Sequence, residues 1–289
     1  MLGPSQNYLD HTQRYTKMAQ FNKHFQTMLG NNEDIYEVTM LGDQNGNIIN
    51  SFGDAANIPI AAGQVTGYSV VHKFGLVDGT NSGNLSTIWS PADTSSTLLY
   101  PWDYTPGTVV AVSTSGDDTN GGSGAQTIVV EGLDANYNEI SDTLTMAGGT
   151  NTAASSNQYI VVHRAFVASG ATNVGKISIN AGATKVGEIA AGYGQTLMSV
   201  YTVPAGHTAY LSNLRVSSSK QTSSIIRLMV RPFGGVFRVQ STISLYSGTG
   251  ETQFVTPLKI TEKSNIDVRI TGGTNNTVSC DFDMVLVEN

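Results

Sequence analysis

Three acidic pairs are the first residues to weigh for chemistry: Asp117/Asp118, Asp134/Glu139 and Asp281/Asp283. Two carboxylates flanking a glycosidic bond can serve as acid and base or nucleophile. The first two pairs lie at hairpin tips, where acidic side chains solvate a turn. The third projects from the polar side of an alternating segment near the C-terminus. The five histidines, His11, His24, His72, His163 and His207, fall in five separate segments, and no two have metal-ligand spacing. Cys280 shares the register of Phe282 and Met284, which marks it as a small buried side chain rather than a nucleophile.

Other patterns stop short of a site. No Gly-x-Ser-x-Gly elbow or phosphate-binding Gly-x-x-x-x-Gly-Lys occurs. Gly192 and Gly194 begin a dinucleotide pattern, but Leu197 stands at the third glycine position. Asp43, Asn45 and Asn47 alternate as in a calcium loop, yet Ile48 replaces its glycine and Asp54 its glutamate. Arg227, Arg231 and Arg238 gather around Pro232. They suit an anionic sugar or a neighbour's carboxylate, with outer-face solvation as the plainer role. Neither an enzymatic activity nor a cofactor or metal is expected. The exposed aromatics Tyr193, Tyr201, Tyr210 and Tyr246 are the residues that would stack on sugars if the chain bound host glycans.

Whatever these residues do, strands must position them. Val278, Cys280, Phe282, Met284 and Leu286 alternate with Ser279, Asp281, Asp283, Val285 and Val287. Ile266, Val268 and Ile270 alternate with Asp267 and Arg269, and Ile226, Leu228 and Val230 with Arg227 and Met229. Side chains on a strand point to opposite faces in turn, so each run marks a sheet with one face in a core. The expected strands of a first module are 108–114, 125–132, 138–146, 158–168 and 175–180. Those of a second are 196–203, 207–217, 224–231, 235–244, 253–260, 265–271 and 278–287. Trp89 and Trp102 sit in the irregular stretch 76–104, as plugs on a core or as interface anchors.

The expected organisation is mainly β. An N-terminal helix and extended arm (1–75) precede two antiparallel sandwich or jelly-roll-like modules (76–183 and 184–289), with a glycine-rich hinge at 184–195. The helix spans 5–29, where Tyr8, Tyr15, Met18, Phe21, Phe25, Met28 and Leu29 recur at helical spacings. Such a stripe has nothing local to cover it and is expected to dock on other chains, with Tyr15, Met18, Phe21 and Phe25 as the assembly interface.

Charged residues are only 13% of the 289-residue chain, about half the usual share. Uncharged polar faces desolvate cheaply on association, which fits a protein working inside an assembly. It also fits an extracellular β protein. Of the net charge of −7, residues 1–75 carry −2, 76–183 carry −7 and 184–289 carry +2. An acidic surface argues against nucleic acid and against an anionic membrane as partners. With a single cysteine there is no intrachain disulfide. The absence of an apolar N-terminal run leads to the expectation of cytoplasmic synthesis and folding.

Residues 129–141 (VVEGLDANYNEIS) and 161–167 (VVHRAFV) resemble a module of virion proteins of tailed bacteriophages, especially those of cyanobacteria and marine bacteria. Residues 68–75 (YSVVHKFG) are similar to the segment leading into it. Residues 203–211 (VPAGHTAYL) and 230–237 (VRPFGGVF) resemble the C-terminal half of the same proteins. The motifs are strand and turn residues spread in pieces over 68–289, and they carry no catalytic group. The resemblance implies a structural role in a virion assembled in the host bacterial cytoplasm. A head decoration or cement protein is expected, with copies of itself as a trimer and the major capsid protein or other virion proteins as partners. A neck, short tail fibre or baseplate accessory is the alternative, followed by a host-glycan-binding module.

Overall fold

The computed structural model describes residues 57–80, 83–91, 98–273 and 275–289. The expected helix at 5–29, its docking residues Tyr15, Met18, Phe21 and Phe25, the Asp43–Asn47 loop and most of the arm lie outside the described residues.

The described chain opens with a short helix, α1 (Asn57–Ala61), followed by β1 (Tyr68–Val77) and β2 (Leu85–Thr87). Six strands come next: β3 (Val109–Ser113), β4 (Ala125–Leu133), β5 (Glu139–Thr145), β6 (Val161–Gly170), β7 (Ile177–Ala181) and β8 (Thr184–Ile189). The remainder is β9 (Val200–Thr202), β10 (His207–Ser218), β11 (Ser224–Arg231), β12 (Arg238–Leu245), β13 (Gly248–Ile260), β14 (Asn265–Thr271) and β15 (Val278–Glu288). The chain is mainly β, as the alternation requires, and the strand pairs are antiparallel.

Two three-stranded sheets, β3-β7-β8 and β5-β4-β6, share one core. Val109, Ile128, Val130, Val162, Ile177, Ile179, Val186 and Ile189 are among its fully buried residues. A four-stranded sheet, β1-β15-β10-β13, and a five-stranded one, β12-β11-β14-β2 with β9 also on β14, enclose a larger core. The periodicity read from the sequence is realised there: Val278, Cys280, Phe282, Met284 and Leu286 face inward along β15. Burial lifts the Cys280 thiol well above its ordinary pKa, which leaves an inert apolar filler.

Two expectations are corrected. Residues 68–75 are not arm but most of β1, paired with β15 from Tyr68↔Val287 to Val77↔Val278. The expected hinge begins as β8, hydrogen-bonded to β7, with Val186 and Ile189 in the first core. The boundary drawn at 183/184 thus falls in the β7–β8 turn. Gly187 made the segment look loose, but its position packs beside Ile179 and Thr196.

The two sandwiches belong to one compact unit spanning Ala56–Asn289. Leu133 and Val161 of the first sandwich's strands belong to the larger core. Polar groups complete the seam. The Tyr100 hydroxyl donates to the Val162 carbonyl (3.2 Å) and accepts from the Val162 N–H (3.0 Å). Both tryptophans are plugs. Trp89 is in the core, and Trp102 packs on Tyr100 and donates from Nε1 to Asp267 at 2.8 Å. Asp267 and Arg269 therefore do not line a solvated face: the segment 98–104 covers them. Asp267 Oδ2 also accepts from Arg269 Nε (2.8 Å) and Thr87 Oγ1 (3.3 Å).

Gly75 fixes how closely β1 lies on this seam. A Cβ there would stand 2.4 Å from the Ile88 carbonyl oxygen and 2.5 Å from the Ser199 N, both rigid backbone. Gly75→Ala is expected to destabilise the protein by roughly 1–3 kcal/mol, as overpacking does. Thermal melts should show this, and an unchanged midpoint would mean that β1 is not so closely seated.

Candidate functional site

None of the three acidic pairs forms an acid/base couple. Asp118 is fully buried and accepts from the Ser113 hydroxyl and from the N–H groups of Ala125, Val174 and Gly175. Burial pushes its pKa up, but these four donors prevail and hold it below the ordinary value. It ties two loops together, while Asp117 is exposed beside it. Asp134 caps the β4–β5 turn, accepting from the N–H groups of Asn136 and Asn138.

Asp281 and Asp283 lie on the outer face of the four-stranded sheet. Arg215 Nε donates to Asp281 Oδ1 at 2.6 Å and its Nη2 to Asp283 Oδ2 at 3.1 Å. His72 Nδ1 lies 2.5 Å from Asp283 Oδ1. Among the described residues His72, Asp281 and Asp283 are the one grouping with metal-ligand geometry. The Arg215 guanidinium bridges the two carboxylates and offsets one of their two charges, while His72 occupies the other oxygen of Asp283. Asp283 is raised by partial burial, but the His72 and Asn213 hydrogen bonds and the His72 and Arg215 charges outweigh this and lower it.

Of the three clustered arginines, Arg238 is exposed at the start of β12, opposite Val230. Arg231 pairs with Asp103 (2.9 Å) and lies over the rings of Trp102 and Phe237; Arg227 donates to the Thr271 hydroxyl. Of the four aromatics considered for sugar stacking, Tyr193 and Tyr246 are exposed and Tyr210 is half-buried. Tyr201 is not available for stacking on a ligand, because its ring is buried against His163 at 4.3 Å.

Two features that sequence patterns missed stand out. The first is a lateral edge. Among the described residues β12 pairs only with β11 and β13 only with β10, so consecutive long strands end both large sheets. β13 runs for 13 residues. It breaks register opposite Leu211/Asn213, where Val255 and Pro257 bulge outward, Val255 fully exposed. Val239 in β12 and Tyr246 in the turn between the strands are exposed apolar neighbours in sequence. An uncovered strand edge presents unpaired N–H and C=O groups and is a template for another chain. Proline is tolerated in strands at such edges.

The second is a cleft of about 720 Å³ at the seam of the sandwiches. β1 supplies Lys73, β4 Glu131, β6 His163 and Arg164, and β9 Tyr201. Lys73 is buried, and its Nζ donates to the His163 carbonyl at 2.5 Å. Burial, reinforced by the Arg164 charge and opposed by Glu131, lowers its pKa to about 7. His163 is held neutral, well below its ordinary pKa, by burial and then by Lys73. Its Nε2 accepts the Thr202 N–H at 3.0 Å, which puts the ring proton on Nδ1. The floor is thus a buried amine, protonated in part at neutral pH, beside a neutral imidazole. No sequence spacing announces it, since Lys73, His163 and Tyr201 meet only through the packing of different sheets.

No family model and no curated protein matches the chain. Among solved structures, it is similar to one of the infectious bursal disease virus Gx strain, at 10% identity, over 76% of this chain and 72% of that chain, with a TM-score of 0.17. It is also similar to the VP2 subviral particle of that virus, at 9% identity, over 78% of this chain and 72% of that chain, with a TM-score of 0.18. Superpositions this loose do not establish a common fold.

The buried amine carries a signed prediction. From about pH 7 to ~9.5, folded Lys73 loses its proton while the unfolded chain keeps it up to ~10.4. The unfolded state then binds more protons, so this residue's contribution makes stability rise with pH. Cys280 and the buried tyrosines act oppositely and cancel in a comparison with Lys73→Met. Denaturant titrations should find Lys73→Met more stable at pH 7, with the advantage shrinking toward pH 9.5. A difference independent of pH would mean the amine is solvated.

Proposed function

We propose that this chain is a non-enzymatic structural subunit of a virus particle, built into it through the edges of β12 and β13. The observation that carries this reading is that, among the described residues, two consecutive long strands terminate both large sheets with nothing paired on their outer edges and with an exposed valine at the bulge. Strand-edge pairing uses main-chain hydrogen bonds, needs no pocket, and repeats without limit when copies are related by symmetry. The low charge of the chain lowers the cost of drying such surfaces.

The finer reading is a head decoration or cement protein of a tailed bacteriophage, trimeric and attached to the major capsid protein through residues 1–75. It is supported by the resemblance of the segments between 68 and 289 to virion proteins of such phages. A neck, short tail fibre or baseplate accessory is the alternative within the same class. Stoichiometric mass analysis of purified particles separates them, because head copies follow the capsid lattice and tail copies the tail symmetry.

The edge itself is tested by a double variant, Thr242→Lys with Val255→Asp. Both sites are exposed, and surface substitutions of this kind change stability by only about 0.5 kcal/mol. Analytical ultracentrifugation should find the wild type as an oligomer and the variant as a monomer with an unchanged melting temperature. A wild type that stays monomeric at micromolar concentration, or a variant that still joins particles in normal number, would remove the edge from the assembly.

A further inference from the structure

The seam cleft holds hydrogen-bonding capacity that the fold leaves unused. Tyr201 is 4% exposed, and its hydroxyl has no hydrogen-bond partner among the described residues. A phenylalanine would pack the same ring on His163 without burying an unpaired donor, so folding alone gives no reason for the oxygen. Lys73 spends one proton on the His163 carbonyl, and no carboxylate lies within ion-pair distance of it among the described residues. Glu131 and Glu139 also line the cleft. Neither carboxylate has a hydrogen-bond or ion-pair partner among the described residues. Glu139 is close enough that its charge, after burial itself, raises the pKa of the Tyr201 hydroxyl.

These groups select a ligand chemistry. Donors sit at the floor and unpartnered acceptors line the same cavity. Arg164 and the partly protonated Lys73 offset most of the charge of Glu131 and Glu139, so the cleft presents little net charge to favour an anion or a cation. Hydroxyl groups donate and accept at once and carry no charge. At the mouth, Val70 and Phe74 remain 44% and 37% exposed, an apolar surface for the C–H face of a sugar ring. The volume falls in the ~300–1,000 Å³ range of small-molecule sites.

We propose that this cleft is a binding site for a short, uncharged saccharide, held by the Tyr201 hydroxyl, the Lys73 amine and the carboxylates of Glu131 and Glu139. The site is independent of the β12–β13 edge, so particle assembly and sugar binding can fail separately.

The test compares the full chain with Tyr201→Phe on an array of bacterial-surface glycans. Calorimetric titrations with maltotriose, triacetylchitotriose, glucuronic acid and glycine then follow. The wild type should bind at least one uncharged glycan. Tyr201→Phe should weaken that binding by about tenfold or more, as expected when a site loses a polar contact to its substrate, at an equal or higher melting temperature. Glu139→Gln, a change at an exposed position, should weaken it as well. Equal binding by wild type and Tyr201→Phe would overturn the proposal. So would binding of glucuronic acid or glycine alone, silence toward every uncharged glycan, or a melting temperature lowered by Tyr201→Phe.

Discussion

The structure depends on a seam that is both dry and polar. Two sandwiches with separate cores are joined where the Tyr100 hydroxyl brackets the backbone of Val162, and the segment carrying Tyr100 is anchored to the larger sandwich by Trp102 on the buried Asp267 carboxylate, which also gathers Arg269 and Thr87. A buried ion pair is costly to desolvate and holds its place only when hydrogen bonds complete it. Asp267 Oδ2 takes two such bonds, from Trp102 and Thr87, besides its Arg269 partner, while the buried Oδ1 has no partner among the described residues. Hydrophobic contact alone would let the sandwiches slide, whereas directional bonds at defined backbone positions fix their relation. The aromatic ladder from Trp89 through Tyr100 and Trp102 to Phe237 shields those bonds from water.

That constraint creates both functional surfaces. With the sandwiches locked at the seam, the wide sheets of the larger one end, among the described residues, at β12 and β13. The cleft opens beside β1, where strands of the two sandwiches meet through the side chains of Lys73, His163 and Tyr201. Gly75 and Lys73 are two residues apart on β1: the first lets the strand lie against the Ile88 and Ser199 backbone, and the second puts an amine under the cleft. One strand therefore serves the packing and the site together.

Much of the fold was legible in the sequence, and the site was not. Alternation located β11, β14 and β15 to the residue or nearly so, because each has one face in a core. It misread the opposite face of β14, since alternation reports only that Asp267 and Arg269 differ from their neighbours. It is silent on the cover supplied by a segment more than 150 positions away. β8 was hidden because the glycines at 187, 192 and 194 make the segment 184–195 read as a hinge. In the fold Glu188 is buried, and Lys185 and Lys176 neutralise it. The Lys73–His163–Tyr201 cluster draws on three strands of different sheets, so no spacing could reveal it.

Native-state hydrogen exchange at the centres of both cores measures the seam most directly. If the seam joins the sandwiches into one cooperative body, the slowest amides of β4 and β7 share a single opening free energy and denaturant slope with those of β11 and β14. Protection of the first sandwich that is lost several kcal/mol below that of the second would show two bodies merely in contact, and would contradict the account.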